Sequence, residues 1–238
     1  MSRNNFHENY DFGVRHYRYL LDVLYRSYCY DGRYVHIDHS PFSTYIQQGL
    51  KTDTVIQKEA QVSYGIEEKV VSWPEEKGKP HTAFFLETRS CTNPGHESPG
   101  WMEDCQADKL LYAFEIKDLG LVVYLLDFSH LKRWFWQQYL PQISHPDYGR
   151  VVMADENRTE GWVVEIATVV NHTPTECFLL TFDGVCRRLK PNVAIERLRE
   201  AYAQGKNTSQ SSRSSLREAK HENEKEKECP SSDGIEQA

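Results

Sequence analysis

Two short runs decide how this chain reads: Ile66-Glu67-Glu68-Lys69-Val70-Val71-Ser72-Trp73 and His81-Thr82-Ala83-Phe84-Phe85-Leu86-Glu87-Thr88-Arg89, separated by the charged segment Pro74 to Pro80. Both are bounded by turn formers and carry β-branched or aromatic side chains, so both predict strands. The gap contains Gly78 and Pro80, which predicts a β-hairpin. Folding it about the midpoint between Lys77 and Gly78 sets Glu68 opposite Glu87, and a slip of one residue sets Glu67 there instead. Directly opposed residues share a face, and two carboxylates so placed repel unless a cation or a proton relieves them. Mg²⁺ is held by one or two carboxylates together with waters and phosphate oxygens. Glu67, Glu68 and Glu87 are therefore the candidate ligands for Mg²⁺ or Mn²⁺.

Upstream, Val14, Tyr17, Leu20 or Leu21, Leu24 and Tyr28 recur at helical steps and predict an amphipathic helix over Tyr10 to Tyr28. A short strand, Tyr34 to Ile37, a helix beginning near Ser40-Pro41 and another short helix over Asp53 to Gln61 are expected next. Downstream, the Gly- and Pro-containing loop Asn93 to Gly100 leads into a helix expected over Met102 to Glu115. Leu121 to Leu126 is continuously apolar, as in a strand covered on both faces. A helix follows to Tyr139, with Ser129 as its expected cap and Pro141 as its stop. Its apolar positions 131, 134, 135 and 139 form a core face, leaving Lys132, Arg133 and Trp136 partly exposed. Strands over Val151 to Met153, Trp162 to Thr168 and Cys177 to Phe182, then a helix over Asn192 to Gln204, complete the pattern.

Strands mixed with long amphipathic helices predict an α/β (α+β) chain with a central mixed sheet flanked by helices. Residues 1–150 are expected to form the core, with the strands and closing helix of 151–205 packed on it. Segment 206–238 has no aromatic residue and is dominated by Ser, Glu, Lys and Asn, the composition of a disordered tail.

The 238 residues are 39% hydrophobic and 12% aromatic, which excludes a wholly disordered or collagenous chain. A net charge of -7 argues against tight sequence-independent binding of a phosphate backbone, which needs clustered Lys and Arg. It leaves open an enzyme that reaches nucleic acid through a bound divalent cation. No run of about 18 apolar residues occurs and the N-terminus is polar, so no membrane association is expected and the expected location is cytoplasmic. The six Cys contain no C-x-x-C pair and read as reduced thiols. Cys91-x₄-His96-x₈-Cys105 lacks the paired spacing of a zinc knuckle.

Glu87-Thr88-Arg89 following an acidic strand resembles the active site of the PD-(D/E)XK nuclease superfamily, in which an acidic residue on one strand and an E-x-K on the next bind metal and activate water. The context is similar: Gly65-Ile66-Glu67, an apolar strand into Glu87, Gly100-Trp101, and Ala107-Asp108-Lys109-Leu110-Leu111-Tyr112 before the next strand. The resemblance implies a restriction-endonuclease-like core, Mg²⁺ or Mn²⁺ as cofactor and nucleic acid as substrate. It implies Glu68, Glu87 and Arg89 as catalytic residues and Glu59, or Gln57 or Gln61, as a helical ligand, while Asp108 and Lys109, in the helix expected after the loop, are the substrate-binding candidates. Two residues depart from the pattern: Glu stands where Asp is usual, and Arg89 stands at the lysine position. A guanidinium cannot act as a base, although it stabilises developing phosphorane charge. The alternative is a non-catalytic module on the same scaffold that docks a protein partner through its aromatic and acidic surface.

Overall fold

The computed structural model describes residues 17–27, 33–36, 52–58, 61–72, 83–143, 151–154 and 159–203. The helix expected after Ser40, the proposed ligand Glu59 and the segment 206–238 lie outside the described residues.

The described chain is α+β, with two sheets. Seven strands, β1 (Arg33–His36), β2 (Thr54–Lys58), β3 (Gln61–Val71), β6 (Lys109–Ile116), β7 (Gly120–Asp127), β10 (Thr175–Thr181) and β11 (Cys186–Leu189), lie side by side in that order. The second sheet has the order β5-β4-β9-β8, made by β4 (Ala83–Cys91), β5 (Ser98–Pro99), β8 (Val151–Ala154) and β9 (Thr159–Glu165). The β3 and β6 pair is parallel and the other pairs are antiparallel, so the large sheet is mixed. The helices are α1 (17–27), α2 (Trp101–Asp104), α3, α4 (Ile166–His172) and α5 (191–203). Helix α3 runs from Phe128–Trp134 through a π-helical turn, Phe135–Tyr139, into Leu140–Gln142. No helix among the described residues is long and apolar enough to cross a membrane.

Side-chain alternation divides the core between the two faces of the large sheet. Leu121, Val123 and Leu125 of β7 face α1, whose Tyr17, Leu20, Leu21 and Leu24 recur at helical steps and are all buried. Val122, Tyr124 and Leu126 face the opposite layer, made of β4, β9 and the helices α2 to α5. There the Phe84 ring meets Tyr112 edge-on at 4.8 Å and Tyr124 at 5.6 Å, locking the small sheet onto the large one. Each such ring contributes about 2–3 kcal/mol by burial. Helix α3 buries Leu131, Trp134 and Phe135 and exposes Arg133 and Trp136, as its spacing predicts. Its cap, however, is Asp127, whose Oδ1 accepts from the His130 amide at 2.9 Å, rather than Ser129.

Four expectations are corrected. The two runs around Glu68 and Glu87 are strands, but they do not form a hairpin: β3 pairs with β2 and β6, whereas β4 pairs with β5 and β9 in the other sheet. The reason lies in burial. From Gly65 to Glu68 every residue of β3 is buried, so both its faces are covered and both its edges are paired. Strand β4 alternates, with Phe84, Leu86 and Thr88 buried and Ala83, Phe85 and Glu87 partly exposed, which suits a layer packed by one face.

The helix expected over Met102 to Glu115 stops at Asp104, and Lys109–Ile116 is strand β6. Leu110 to Phe114 are buried on both faces, and an all-apolar run carries no period by which to separate helix from strand. Residues Thr54–Lys58 are a strand rather than a helix, in keeping with their β-branched Thr54-Val55-Ile56 start. The strand expected over Trp162 to Thr168 ends at Glu165 and gives way to α4. Strand β11 was not foreseen.

A candidate metal centre on strand β3

Thr54 of β2 pairs with Ile66 of β3, where that ladder ends, and Asp53 precedes it in a bend, close enough for its charge to act on the carboxyl of Glu67. Ile66, Glu68 and Val70 face α1, so Glu67, Lys69 and Val71 face the layer of β4 and α2. Asp53 thus lies near Glu67, and a lysine stands two residues beyond Glu67 on the same face of β3. Asp53 is held in place by the backbone: its amide donates to the Ile66 carbonyl at 3.0 Å, and its Oδ2 accepts from the Glu68 amide at 2.8 Å. Lys69 Nζ pairs with Glu67 Oε1 and lies 5.6 Å from the Trp101 ring centroid.

Two glycines allow this assembly. A Cβ on Gly65 would lie 2.9 Å from Thr52 Oγ1, which itself donates to the Ile66 carbonyl at 2.7 Å. A Cβ on Gly100 would lie 2.5 Å from the Glu87 carbonyl oxygen, where the start of α2 presses onto β4. Only a residue without a side chain permits either approach. From α2 and the turn after it come Trp101 and Cys105, and Cys105 Sγ lies 3.6 Å from Glu67 Oε2. Lys132 of α3 donates to the Cys105 carbonyl, with its Nζ 4.6 Å from the Phe128 ring centroid.

Glu67 is 8% exposed. Burial pushes its carboxyl up to about 7, against the pull of Lys69 and with a further push from Asp53. Burial and the Glu67 charge likewise push the Cys105 thiol up to about 12, and burial lowers Lys132. Burial is the largest cause, and it acts although Lys69 pairs with one Glu67 oxygen and the Cys105 thiol lies by the other.

The sequence-derived site residues separate. Glu68 is fully buried on the α1 face, where its Oε1 accepts from Tyr25 OH at 2.6 Å and from Thr54 Oγ1 at 2.5 Å. Glu87 stands on the other sheet, pointing away from the face that carries Phe84 and Leu86, and its Oε1 accepts from Ser90 Oγ at 2.5 Å. The large sheet therefore lies between Glu68 and Glu87. The Arg89 side chain is 59% exposed, with Nε 3.9 Å from Glu160 Oε2. Asp108 is a latch between strands: its Oδ2 accepts from the Gly65 amide at 2.9 Å, and its own amide donates to the Gly65 carbonyl at 3.0 Å. Lys109 pairs in register with Ile66, hence faces the α1 side, and sits 3.6 Å from Asp127 Oδ2.

What the structure brings together is Asp53, Glu67 and Lys69. Sequence reasoning missed Asp53 because it was placed at the start of a helix, and passed over Lys69 although Glu67-Glu68-Lys69 spells an E-x-K directly. Among the described residues no group of three or more His, Cys, Asp and Glu converges into a ready-made metal cage. The protein donors on this face are two hard carboxylates, the share of a Mg²⁺ shell that proteins usually supply. Compared with models of protein families, with curated proteins and with solved structures, the chain matches none.

Proposed function

We propose that the chain is a metal-dependent phosphodiesterase acting on nucleic acid, with Asp53 and Glu67 as ligands for Mg²⁺ or Mn²⁺ and Lys69 as the cationic residue beside them. The observation that carries this reading is the closeness of Asp53 and Glu67, the first held by the Glu68 amide and the second paired with Lys69. It has the form of an acid at the start of one strand, just outside it, and an E-x-K on the next, so the proposed likeness to the PD-(D/E)XK superfamily moves from Glu87-Thr88-Arg89 to Glu67-Glu68-Lys69. The move removes the objection that Arg89 posed, because a lysine now occupies the lysine position.

A divalent cation, when bound, acts as a Lewis acid and makes coordinated water more acidic. The chain's own residues do the rest. The Glu68 amide aims the Asp53 carboxylate, so that part of the ligand set is preorganised. Lys69 shields Glu67 and is placed to donate to a non-bridging phosphate oxygen. Trp101 and Cys105, both buried, exclude bulk water from the Glu67 side.

Mn²⁺ titration of the full chain, followed by thermal unfolding and by cleavage of single- and double-stranded nucleic acid, tests the proposal. At 100 times the dissociation constant the ion stabilises the wild type by about 2.7 kcal/mol. Asp53→Asn and Glu67→Gln lose both the shift and the cleavage, Lys69→Met loses cleavage alone, and Glu87→Gln keeps both. A wild type with neither shift nor cleavage overturns the proposal and leaves the protein-docking module on this scaffold.

A further inference from the structure

Helix α3 brings a second lysine to the centre, one that the reaction as described does not use. We infer that Lys132 is a further phosphate-contacting residue, donating to a non-bridging oxygen of the phosphodiester as phosphorus becomes five-coordinate; this rests on the phosphodiesterase reading. Its ammonium donates to the Cys105 carbonyl, and the thiol of the same Cys105 lies 3.6 Å from Glu67 Oε2, so a single residue separates the lysine from the proposed ligand. Lys69 reaches Glu67 from the strand and Lys132 approaches from the helix, so the two cations flank the carboxylate.

The side chain is already committed to this place. Its Nζ lies over the ring of Phe128, which is fully buried, and α3 is anchored by Leu131 and Trp134 on either side of the neighbouring turn. Its hydrogen-bond acceptor is a neutral carbonyl. Exchanging that acceptor for an anionic phosphate oxygen sets opposite charges against each other, where the present bond carries charge on the donor alone. The acids whose field reaches Lys132 are Asp104 and Glu67, with Cys105 beside them. A phosphodiester carries one negative charge and the five-coordinate species two, so each added ammonium favours the transition state over the substrate. Water gives one proton to solvent and its oxygen forms the new P–O bond, the P–O bond to the leaving group breaks, the leaving alkoxide takes a proton from solvent, and no oxidant or further reactant is needed.

The competing role for Lys132 is a C-cap for the short helix α2, which ends at Cys105. Kinetics on the full chain separate the two. Lys132→Met keeps the stem over Phe128 without the charge, and the expected result is a kcat lower by about 100-fold, with KM and the Mn²⁺-dependent thermal shift changed less than about threefold. Lys132→Arg is expected to restore most of kcat. If Lys132→Met does not fold, Lys132→Gln, which retains a donor for the carbonyl, is measured against the same expectations. A wild-type kcat in the uncharged variant overturns the inference while leaving the phosphodiesterase reading intact. So does loss of the Mn²⁺ shift together with kcat, which would mark a purely structural cap. A wild type that shows neither the shift nor cleavage overturns both readings at once.

Discussion

Glu67 and Glu68 are neighbours in sequence, both buried, and belong to two different regions of the molecule. On the α1 face, Glu68 shares one oxygen between the hydroxyls of Tyr25 and Thr54 and so ties α1, β2 and β3 together. On the opposite face, Glu67 meets a lysine, a thiol and the charge of Asp53. One carboxylate takes hydroxyl donors on a single oxygen inside the fold, and the other is paired with a lysine on one oxygen and a thiol on the other, beside a second acid. Burial alone therefore does not mark a functional acid. The partners do, and a one-residue step along a strand exchanges one set for the other.

The contrast is broken most severely by Glu68→Ala. Removing the shared acceptor of two buried hydroxyls is expected to cost about 2–5 kcal/mol, read as a lower denaturant midpoint at unchanged slope. A loss under about 1 kcal/mol would mean that Glu68 is not the tie described.

The second test is pH. In the metal-free protein the carboxyl of Glu67 is raised from the ordinary carboxylate range to about 7, so the folded state holds its proton where the unfolded chain has released it. The associated stability is fully present below the unfolded value and is lost as pH rises through about 7. The stability of the wild type minus that of Glu67→Gln, measured in chelator, is expected to fall by on the order of 1–3 kcal/mol between pH 4.5 and 8. A flat difference would place Glu67 in the same class as a solvated acid.

Tyr25→Phe sharpens the other side of the comparison. It removes one of the two hydroxyl donors to Glu68 and is expected to cost about 1–2 kcal/mol in equilibrium unfolding, with the Mn²⁺ response unchanged because the hydroxyl lies on the face away from Glu67. The smallest effect belongs to Arg89→Ala. An exposed side chain 3.9 Å from its partner acid contributes at most about 0.5 kcal/mol, and cleavage should proceed at the wild-type rate. A large loss of activity in that variant would return the centre to β4.

Several elements were legible because their signals are local. The helical steps of Leu20, Leu21 and Leu24, the apolar face of α3 and the doubly covered strand Leu121 to Leu126 all carry a period or a run that survives in one dimension. Strand character at 66–71 and 83–89 was legible for the same reason. At Lys109–Ile116 the period vanished because every residue from Leu110 to Phe114 is buried, and the strand was taken for a helix. Of the expected pair of opposed acids, Glu87 lies in the other sheet, and the acid near Glu67 is Asp53, from the bend before β2.

By itself the sequence determined the elements whose period or apolar run is local, such as α1, α3 and β7, which side chains are apolar enough to be buried, and that an E-x-K lies at Glu67-Glu68-Lys69. Tertiary structure alone decided that β3 pairs with β2 and β6 while β4 joins another sheet, and that Asp53 comes near Glu67 while Glu68 is enclosed on the opposite face of β3. The physical reason is that side-chain alternation and propensity act over a few residues. The choice of pairing partner is a competition among long-range contacts, settled by which arrangement buries both faces of β3 with every strand edge satisfied.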